Sequence, residues 1–424
     1  MRIVYIGAGA AGAYCGACAR DVTLVRGLLA RGHDAMLLPL YTPLTSDMPD
    51  VSLGQVFYGG INVYLQDRFA LFRRTPRLVD WLLDRPALLR LASRFGIETR
   101  PEDLGDMTVS VLRGADGRQR KELERLMGFL EGRARPDVVH LTNSLLSALA
   151  SEIRGRLGAP VLCTLMGEES FVARLPEPYR GQATDLMRKH AEAVDLFVSP
   201  AQAYADEMSE FLAVPRERIR VVRTGVDTAL FAPAVERTRD PFRIGFLSRL
   251  SRGKGIDLLC EAFRIAARRC GGRVVLSVAG QMLGPNKRLW KGLMKGLAAD
   301  GLADRVACVG APDLAGKVAF LRSLSVFCVP AVGTAGGVFP ELIELTGGGL
   351  IVPAGDAAAA AGDAEALASA ICELHDDPGR ADEMGRNAAE GVAAHFSADR
   401  MVDQTLSAYE ACISARRPDG PSSR

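Results

Sequence analysis

The sequence has 424 residues with a formal net charge of +2, and 48% of the residues are hydrophobic while 24% are charged. At roughly 100–200 residues per domain, this length predicts two or three domains that can each bury a core. The small net charge argues against a nucleic-acid-binding protein, and few aromatic residues among many aliphatic ones are typical of a globular α/β protein.

The apolar run at the beginning of the chain is too short for a signal peptide. We interpret it as a first β-strand. No window approaches the ~18 uninterrupted apolar residues of a membrane span, so we expect a cytoplasmic protein. Nine scattered cysteines, an odd number, favour reduced thiols over a disulfide framework. Cys15 and Cys18 form the one Cys-x-x-Cys pair, which we interpret as part of a tight turn. A redox or zinc pair is the alternative, but no second Cys pair or His cluster completes a metal site.

Strand-length apolar runs alternate with helical patterns, such as those at 22–31 and 256–269, along the whole sequence. This alternation predicts an α/β protein with parallel sheets and helices on both faces. The pattern restarts near Pro241, so we predict two doubly wound, Rossmann-like domains, at 1–235 and 236–395, that face each other across a cleft. The predicted strands are 3–6, 35–38, 138–141, 161–165, 196–199, 219–222, 244–247, 274–279, 306–309 and 326–330.

Other segments have their own composition. Residues 66–134 carry leucines at helical spacing and form a predicted helical insert in the first domain. Residues 354–366 are alanine-rich and are expected to begin a surface helix. We predict that 396–415 form a C-terminal helix that returns to the N-terminal domain, followed by a disordered tail at 416–424.

Gly7, Gly9 and Gly12 form a G-x-G-x-x-G pattern between a predicted strand and a helix. Because glycines let the backbone approach a pyrophosphate, the pattern suggests a dinucleotide-dependent oxidoreductase. Such a site needs an acidic residue at the end of the second strand, yet Asp34 precedes that strand. A turn that packs the helix close to the sheet is a second interpretation. We favour a third, in which Gly9, Gly12 and Gly16 approach the diphosphate of a sugar nucleotide from the opposite domain.

The second half of the chain contains RIGFLSRL at 243–250 and KGIDLL at 254–259. Together with VRTGVDT at 222–228 and the later VAG, VGAP and GGVFPE segments, this order of motifs resembles the retaining glycosyltransferases of the family-4 type, which have the two-domain GT-B fold. YGGINVYL at 58–65 looks like the acceptor-side domain of that family. The resemblance covers nearly the whole chain and implies transfer of a sugar from a nucleotide-sugar donor to a glycan, lipid or small-molecule acceptor.

The resemblance assigns binding of the donor diphosphate to Arg249 and Lys254, and it places Gly310 in the donor site. Cations that stabilise the charge of the departing diphosphate lower the barrier, and a helix N-terminus at 256 would add to their effect. Two ordinary exposed cations are the alternative. The family uses Arg and Lys in place of a divalent metal ion, so we expect no metal and no cofactor besides the nucleotide-sugar co-substrate.

One family motif is absent from the sequence. The Glu-x7-Glu motif, whose glutamates contact the transferred sugar and the ribose, should follow strand 326–330, but the chain passes almost directly to GGVFPE at 336–341. Glu365 and Glu373 have the same spacing on the alanine-rich helix, which we interpret as coincidence. The loss of one βα unit near 331–336 predicts an impaired or inactive glycosyltransferase. A non-catalytic nucleotide- or glycan-binding protein on the same scaffold is the alternative.

The acceptor side also departs from the family, many of whose members have a catalytic-site histidine shortly after the strand at 138–141. Here His140 lies within that strand and is expected to be structural, while Asn143 occupies the functional position as a catalytic-site candidate. Asn can hydrogen-bond a sugar but cannot act as a base. Glu168 and Glu169, after the next strand, are candidate acceptor or sugar contacts, with a solvated acidic turn as the alternative.

Basic and apolar residues interleave at 287–297 and predict a basic amphipathic helix. We favour a plain solvated face for it. A peripheral contact with anionic lipid at the inner membrane face is the alternative, and it would suit a lipid-linked acceptor.

Overall fold

The computed structural model describes residues 1–9, 15–44, 46, 48–54, 56–59, 63, 104–233, 240–270, 274–282, 284–330, 338–352 and 360–416. Several sequence predictions lie outside these residues: Gly12, most of the helical insert at 66–134, the segment near 331–336 where a βα unit is predicted to be missing, and the tail beyond residue 416.

The chain divides into two compact units. Unit 1 comprises Met1–Val226 and Phe396–Arg424, and unit 2 comprises Asp227–His395. The boundary between the two units therefore lies slightly before residue 235, which is the boundary that the composition predicts.

Among the described residues, unit 1 contains a six-stranded sheet in which all strands are parallel. Its strands are β1 (Arg2–Gly7), β2 (Asp34–Pro39), β3 (Val138–Leu141), β4 (Val161–Thr164), β5 (Leu196–Ser199) and β6 (Ile219–Val221). The strand order is β2-β1-β3-β4-β5-β6. β3 and β4 are buried along their whole length, as expected for parallel strands covered on both faces.

Unit 2 contains a four-stranded parallel sheet among the described residues. Its strands are β7 (Phe242–Leu247), β8 (Val274–Ala279), β9 (Val306–Cys308) and β10 (Val326–Phe327), in the order β10-β7-β8-β9. β10 is shorter than the predicted strand 326–330, and Phe327 and Val329 are each 45% exposed. All ten predicted strands are present, and together with the helices they confirm an α/β protein with two parallel-sheet domains.

Helices fill the connections between the strands. The described α-helices are α1 (Gly16–Ala30), α2 (Gly105–Leu112), α3 (Arg120–Phe129), α4 (Ala148–Leu157), α5 (Glu168–Val172), α6 (Tyr179–Ala191), α7 (Gln202–Leu212), α8 (Ile256–Arg269), α9 (Gly284–Ala299), α10 (Leu314–Arg322), α11 (Val338–Thr346), α12 (Ala360–Asp376), α13 (Pro378–His395) and α14 (Ala398–Arg416).

The helix α1 begins six residues before the predicted helix at 22–31. Its first turns contain Gly16, Arg20 and Asp21, which carry no apolar periodicity for a pattern to detect. Arg20 and Asp21 are nevertheless buried. Because these polar residues are buried, the hydrophobic pattern of the sequence does not indicate where this helix begins.

The last helix, α14, packs against α1 within unit 1. The Arg31 guanidinium of the α1–β2 turn forms ion pairs with Asp399 at 3.0 Å and Asp403 at 2.9 Å. At the far end of α14, Arg416 pairs with Asp195 at 2.8 Å. These contacts fix the C-terminal helix across the helical layer of the first sheet.

Candidate functional site

Open α/β sheets bind ligands outside the carboxyl ends of their strands, at the point where the strand order reverses. In unit 1 the order reverses between β1 and β3, and in unit 2 it reverses between β7 and β10. Asn143 lies just beyond β3, and Arg249 lies just beyond β7. Each unit therefore brings one predicted site residue to its own switch point.

The switch point of unit 2 carries two exposed cations. Arg249 and Lys254 are both exposed, and neither has an ion-pair partner among the described residues. A short 3-10 turn, Arg252–Lys254, leads to Gly255, which adopts a φ of +72° and caps α8. A Cβ at this position would overlap the carbonyl oxygen of Pro330, so only glycine lets the start of α8 approach the end of the β10 segment.

The neighbouring loops of unit 2 are also held together through glycines. The Gly280 amide, just after β8, donates to the Gly310 carbonyl, just after β9, at 2.6 Å. A Cβ at Gly280 would overlap the Ser248 carbonyl oxygen, whereas Gly310 is exposed with open space around it. Gln281 Oε1 is buried and has no hydrogen-bond partner among the described residues. The end of β8 thus presents an acceptor atom that the described part of unit 2 does not satisfy.

In unit 1 the described glycines of the first loop have different surroundings. Gly9 has a φ of +85°, and a Cβ there would overlap the backbone of Thr42, so this glycine is required for packing of the loop. Gly16 begins α1, is exposed, and has open space where a side chain would stand. Packing therefore explains Gly9 by itself, and Gly16 is open to a ligand.

The side chain of Asn143 in unit 1, like that of Gln281 in unit 2, has a buried oxygen without a hydrogen-bond partner among the described residues. The backbone of Asn143 is extended, with φ −157° and ψ 164°, and the buried atom is its Oδ1. An unsatisfied buried carbonyl oxygen costs free energy, and such atoms in folded proteins commonly mark a bound water or ligand. A hydroxyl or amide donor of a bound molecule would satisfy it.

The two candidate glutamates of unit 1 differ in burial and contacts. Glu168 is 4% exposed, and its two oxygens accept from the Ser144 amide at 2.7 Å and the Met166 amide at 2.6 Å. Glu169 is only half-buried and accepts from the Tyr204 hydroxyl at 2.6 Å. Burial raises the pKa of Glu168. Glu168 thus ties the loop after β3 to the loop after β4, and Glu169 is the more accessible of the two.

A buried carboxylate that sequence reasoning missed lies beneath the same edge. Asp21 is 1% exposed and accepts from the Tyr5 hydroxyl and from the Thr142 hydroxyl, each at 2.6 Å. Burial raises the pKa of Asp21, while the nearby Arg20 guanidinium, at 3.7 Å, opposes that rise. Since Thr142 precedes Asn143, this bond holds the backbone that carries the unsatisfied amide.

A second branch of this network reaches the last helix. Arg20 donates to Thr164 Oγ1 at 2.8 Å, and Thr164 Oγ1 lies 2.8 Å from His140 Nε2. The other ring nitrogen of His140 lies 2.7 Å from the Tyr409 hydroxyl. Burial lowers the pKa of His140 well below its ordinary value, so the ring is neutral and structural, as predicted.

The two glutamates that have the Glu-x7-Glu spacing on α12 both form ion pairs with arginines. Glu365 pairs with Arg269 of α8, and Glu373 pairs with Arg380 of α13. Ile371 between them is buried in the core of unit 2. These contacts support the interpretation that the spacing is coincidental.

The basic helix at 287–297 is part of α9. Its apolar residues Leu289, Trp290, Leu293 and Met294 are partly buried against the core of unit 2, and its cations are exposed. Among the helices in the described residues, none is long and apolar enough to cross a bilayer. The described residues also contain no group of three His, Cys, Asp or Glu side chains that could hold a metal ion.

Comparison with known proteins supports the family resemblance over part of the chain. Residues 108–230 match the profile of Glycosyltransferase Family 4. The chain is 27% identical over 247 residues to the lipopolysaccharide core biosynthesis mannosyltransferase LpsB of Rhizobium meliloti, a match that covers 50% of this chain and 65% of that protein. It is 27% identical over 252 residues to a D-inositol 3-phosphate glycosyltransferase of Streptomyces avermitilis, covering 53% of each protein. The chain thus spans less than two thirds of these relatives.

Solved structures match nearly the whole chain at low sequence identity. Sucrose-phosphate synthase from Thermosynechococcus elongatus superposes with a TM-score of 0.66 at 17% identity, covering 97% of this chain and 99% of that one. HepE from Anabaena, in complex with UDP, gives a TM-score of 0.60 at 14% identity, covering 97% and 100%. The protein therefore has the GT-B fold. Residues 108–230 match Glycosyltransferase Family 4, and about half of the chain is similar in sequence to glycosyltransferases.

Proposed function

We propose that this chain transfers a sugar from a nucleotide-sugar donor to a glycan, lipid or small-molecule acceptor. The observation that carries the proposal is the position of Arg249 and Lys254, exposed and without ion-pair partners among the described residues, at the switch point of unit 2. Both precede the N-terminus of α8, whose free amides favour anions. Two cations and a helix N-terminus suit a diphosphate.

In the proposed reaction the bond between the sugar and the diphosphate breaks, and negative charge grows on the departing diphosphate. Arg249 and Lys254 would stabilise that charge more in the transition state than in the ground state, which is what lowers the barrier. The departing phosphate can accept the proton of the acceptor hydroxyl, so no protein base is required. Gly310, which is exposed, would line the donor side.

Unit 1 supplies the acceptor side of the proposal. Asn143 Oδ1 would accept a hydrogen bond from a sugar hydroxyl, and Glu169 would contact the acceptor. The amides of Gly9, Gly12 and Gly16 would approach the diphosphate. The missing Glu-x7-Glu motif predicts weak turnover, because charged hydrogen bonds to the sugar and ribose are each worth about 1.5–3 kcal/mol.

The test combines calorimetry with a transfer assay. UDP is the first probe, since HepE is known in complex with UDP and with UDP-glucose, and GDP and ADP follow. We expect Arg249→Ala and Lys254→Ala to weaken nucleotide diphosphate binding by about 10- to 100-fold each. Arg252→Ala is the matched control, because Arg252 is a cation of the same turn that already has an ion-pair partner. Its Nε lies 4.0 Å from Oδ2 of Asp257.

Each outcome separates the candidate functions. Transfer with any sugar nucleotide, lost in the Arg249 and Lys254 variants, supports the glycosyltransferase. Nucleotide binding without transfer favours the non-catalytic binding protein, which the absent motif makes the second candidate. Affinity for NAD or a bound flavin, with none for nucleotide diphosphates, would instead identify an oxidoreductase and overturn the proposal.

The basic face of α9 suggests a peripheral membrane contact as part of the proposal. Because its apolar residues pack against the core of unit 2, attachment would depend on the exposed cations Lys287, Arg288, Lys291 and Lys295. Binding to phosphatidylglycerol vesicles should therefore be lost at high salt and absent with phosphatidylcholine. Salt-insensitive binding to both vesicles would contradict an electrostatic contact.

A further inference from the structure

Two cysteine side chains of unit 2 meet where two helices pack. Cys270 directly follows α8, and its Sγ lies 3.2 Å from the Sγ of Cys372 in α12. The two residues are 102 positions apart in the sequence, so nothing in their spacing links them. Both are free thiols in this structure.

The helices that carry these thiols are held in register by other contacts. Arg269, the last residue of α8, forms an ion pair with Glu365 and donates to Ser369 Oγ at 3.2 Å. Ile371, beside Cys372, is 1% exposed in the same core as α8. These contacts hold the two helices together around the sulfurs. From 3.2 Å the sulfurs must approach by about 1.2 Å to reach the length of a disulfide bond.

We propose that Cys270 and Cys372 are a modification site at which a peroxide or a small-molecule disulfide forms a reversible disulfide between α8 and α12. Cys372 is half-buried and Cys270 is 9% exposed, so a small oxidant reaches Cys372 first. The proposal does not depend on sugar transfer.

With hydrogen peroxide the reaction has two steps. The Cys372 thiolate attacks a peroxide oxygen, the O–O bond breaks, and a sulfenic acid forms with release of hydroxide. The Cys270 thiol then loses its proton, and the resulting thiolate attacks the Cys372 sulfur. The S–S bond forms, the S–O bond breaks, and the departing hydroxide takes up that proton to give water. Two thiols lose two hydrogens, and the peroxide becomes two waters.

With oxidised glutathione, the Cys372 thiolate attacks the glutathione disulfide and displaces one glutathione thiolate. The Cys270 thiolate then attacks the Cys372 sulfur of this mixed disulfide and displaces the second glutathione, so the protein disulfide forms and glutathione is reduced.

The environment of Cys270 predicts how the rate depends on pH. Burial, assisted by the neighbouring thiol, raises the pKa of Cys270 to about 12. Only the thiolate is an effective nucleophile, so the second step should accelerate as the pH rises through the alkaline range. At neutral pH the sulfenic acid of Cys372 should live long enough to be trapped by dimedone.

The expected consequence is stabilisation of unit 2 without obstruction of its switch point. The disulfide joins the C-terminal end of α8, whereas Gly255 and Lys254 lie at the opposite end. A cross-link between residues so distant in sequence restricts the unfolded chain strongly. Amides of α8 and α12 should therefore exchange more slowly with deuterium in the oxidised protein.

The experiment uses the full chain, reduced, freed of reductant and treated with hydrogen peroxide or oxidised glutathione. After alkylation under denaturing conditions, peptide mass mapping should find the Cys270 and Cys372 peptides linked, two hydrogens lighter and separable by dithiothreitol. Cys372→Ser should abolish both the link and the slower exchange. Cys308→Ser is the matched control, since Cys308 is exposed elsewhere in unit 2, and it should keep both.

Two results would overturn the proposal. One is that Cys270 and Cys372 both remain alkylatable after a treatment that fully modifies the exposed Cys308. The other is that either of them is recovered linked to a different cysteine. Should Cys372→Ser fail to fold, Cys270→Ala provides the same comparison from the other side of the pair.

Discussion

The hydroxyl of Tyr409, in the last helix, lies 2.7 Å from Nδ1 of His140, in the third strand of the first sheet. Both residues are fully buried, and the ring centroids are 5.6 Å apart in an edge-on arrangement. This contact joins the C-terminal helix to the polar network beneath Asn143. The helix therefore supports the loop that carries Asn143 as well as the core of unit 1.

Tyr409→Phe should destabilise unit 1 by about 1–3 kcal/mol, because a buried ring nitrogen of His140 loses its partner. The measurement is hydrogen–deuterium exchange of peptides from β3 and α14, which isolates unit 1 from unit 2. Tyr179→Phe is the matched control, because the described residues offer its hydroxyl no hydrogen-bond partner. Equal exchange in both variants would show that the contact contributes nothing.

The stability of unit 1 should fall as the pH drops below about 6.5, where histidine titrates in an unfolded chain. Burial, with the charge of Arg20 adding to it, lowers the pKa of folded His140 well below that value, so only the unfolded state takes up the proton. The loss reaches at most about 1.4 kcal/mol per pH unit, and the contribution is fully present above pH 6.5.

Asp21 and Glu168 change the stability of unit 1 in the opposite direction, and they do so at lower pH. Burial raises the pKa of each carboxyl group, so the folded state binds these protons more readily than the unfolded state. The difference in stability between the original protein and His140→Gln cancels the contribution of Asp21 and Glu168, because both proteins contain these residues. That variant should be less stable near neutral pH but should lose less stability between about pH 6.5 and 5. Parallel curves for the two proteins would contradict a neutral buried His140.

Hydrophobic pattern was sufficient to predict the strands of both sheets. Parallel strands covered on both faces are continuous apolar runs, and β3 and β4 show this most clearly. The start of α1 was missed because Arg20 and Asp21 are buried polar residues, which look like surface positions in a pattern. The length of β10 was overestimated, since an apolar run continues past the residues that pair with β7.

The candidate residues Arg249 and Asn143 were proposed from the family resemblance. Each lies just beyond the carboxyl end of a parallel strand, which is the ligand side of such a sheet. Asp21 was missed, since its partner Thr142 is 121 residues away and no local pattern connects them. Glu168 and Glu169 are adjacent in sequence, and only the structure separates the buried one from the accessible one.

Glu168→Gln and Glu169→Gln should have different effects. Both oxygens of Glu168 accept from backbone amides, and a glutamine places an NH₂ group against one of those donors. We expect about 1–3 kcal/mol of lost stability for Glu168→Gln. Glu169→Gln keeps an oxygen for the Tyr204 hydroxyl, so it should leave stability unchanged and raise the KM for the acceptor. The same urea midpoint for both variants would contradict the assigned roles.

Asn143→Ala should separate function from stability. Because Oδ1 of Asn143 has no hydrogen-bond partner among the described residues, its removal breaks no internal bond, and the urea midpoint should not fall. If that oxygen accepts a sugar hydroxyl, kcat/KM for transfer should drop about 10- to 100-fold. Ser147→Ala is the matched control, since its buried hydroxyl also lacks a partner among the described residues and lies one helical turn further on. A loss of stability in Asn143→Ala would show that the side chain has a partner within the protein. An equal loss of transfer in both variants would show that the Asn143 oxygen does not meet the substrate.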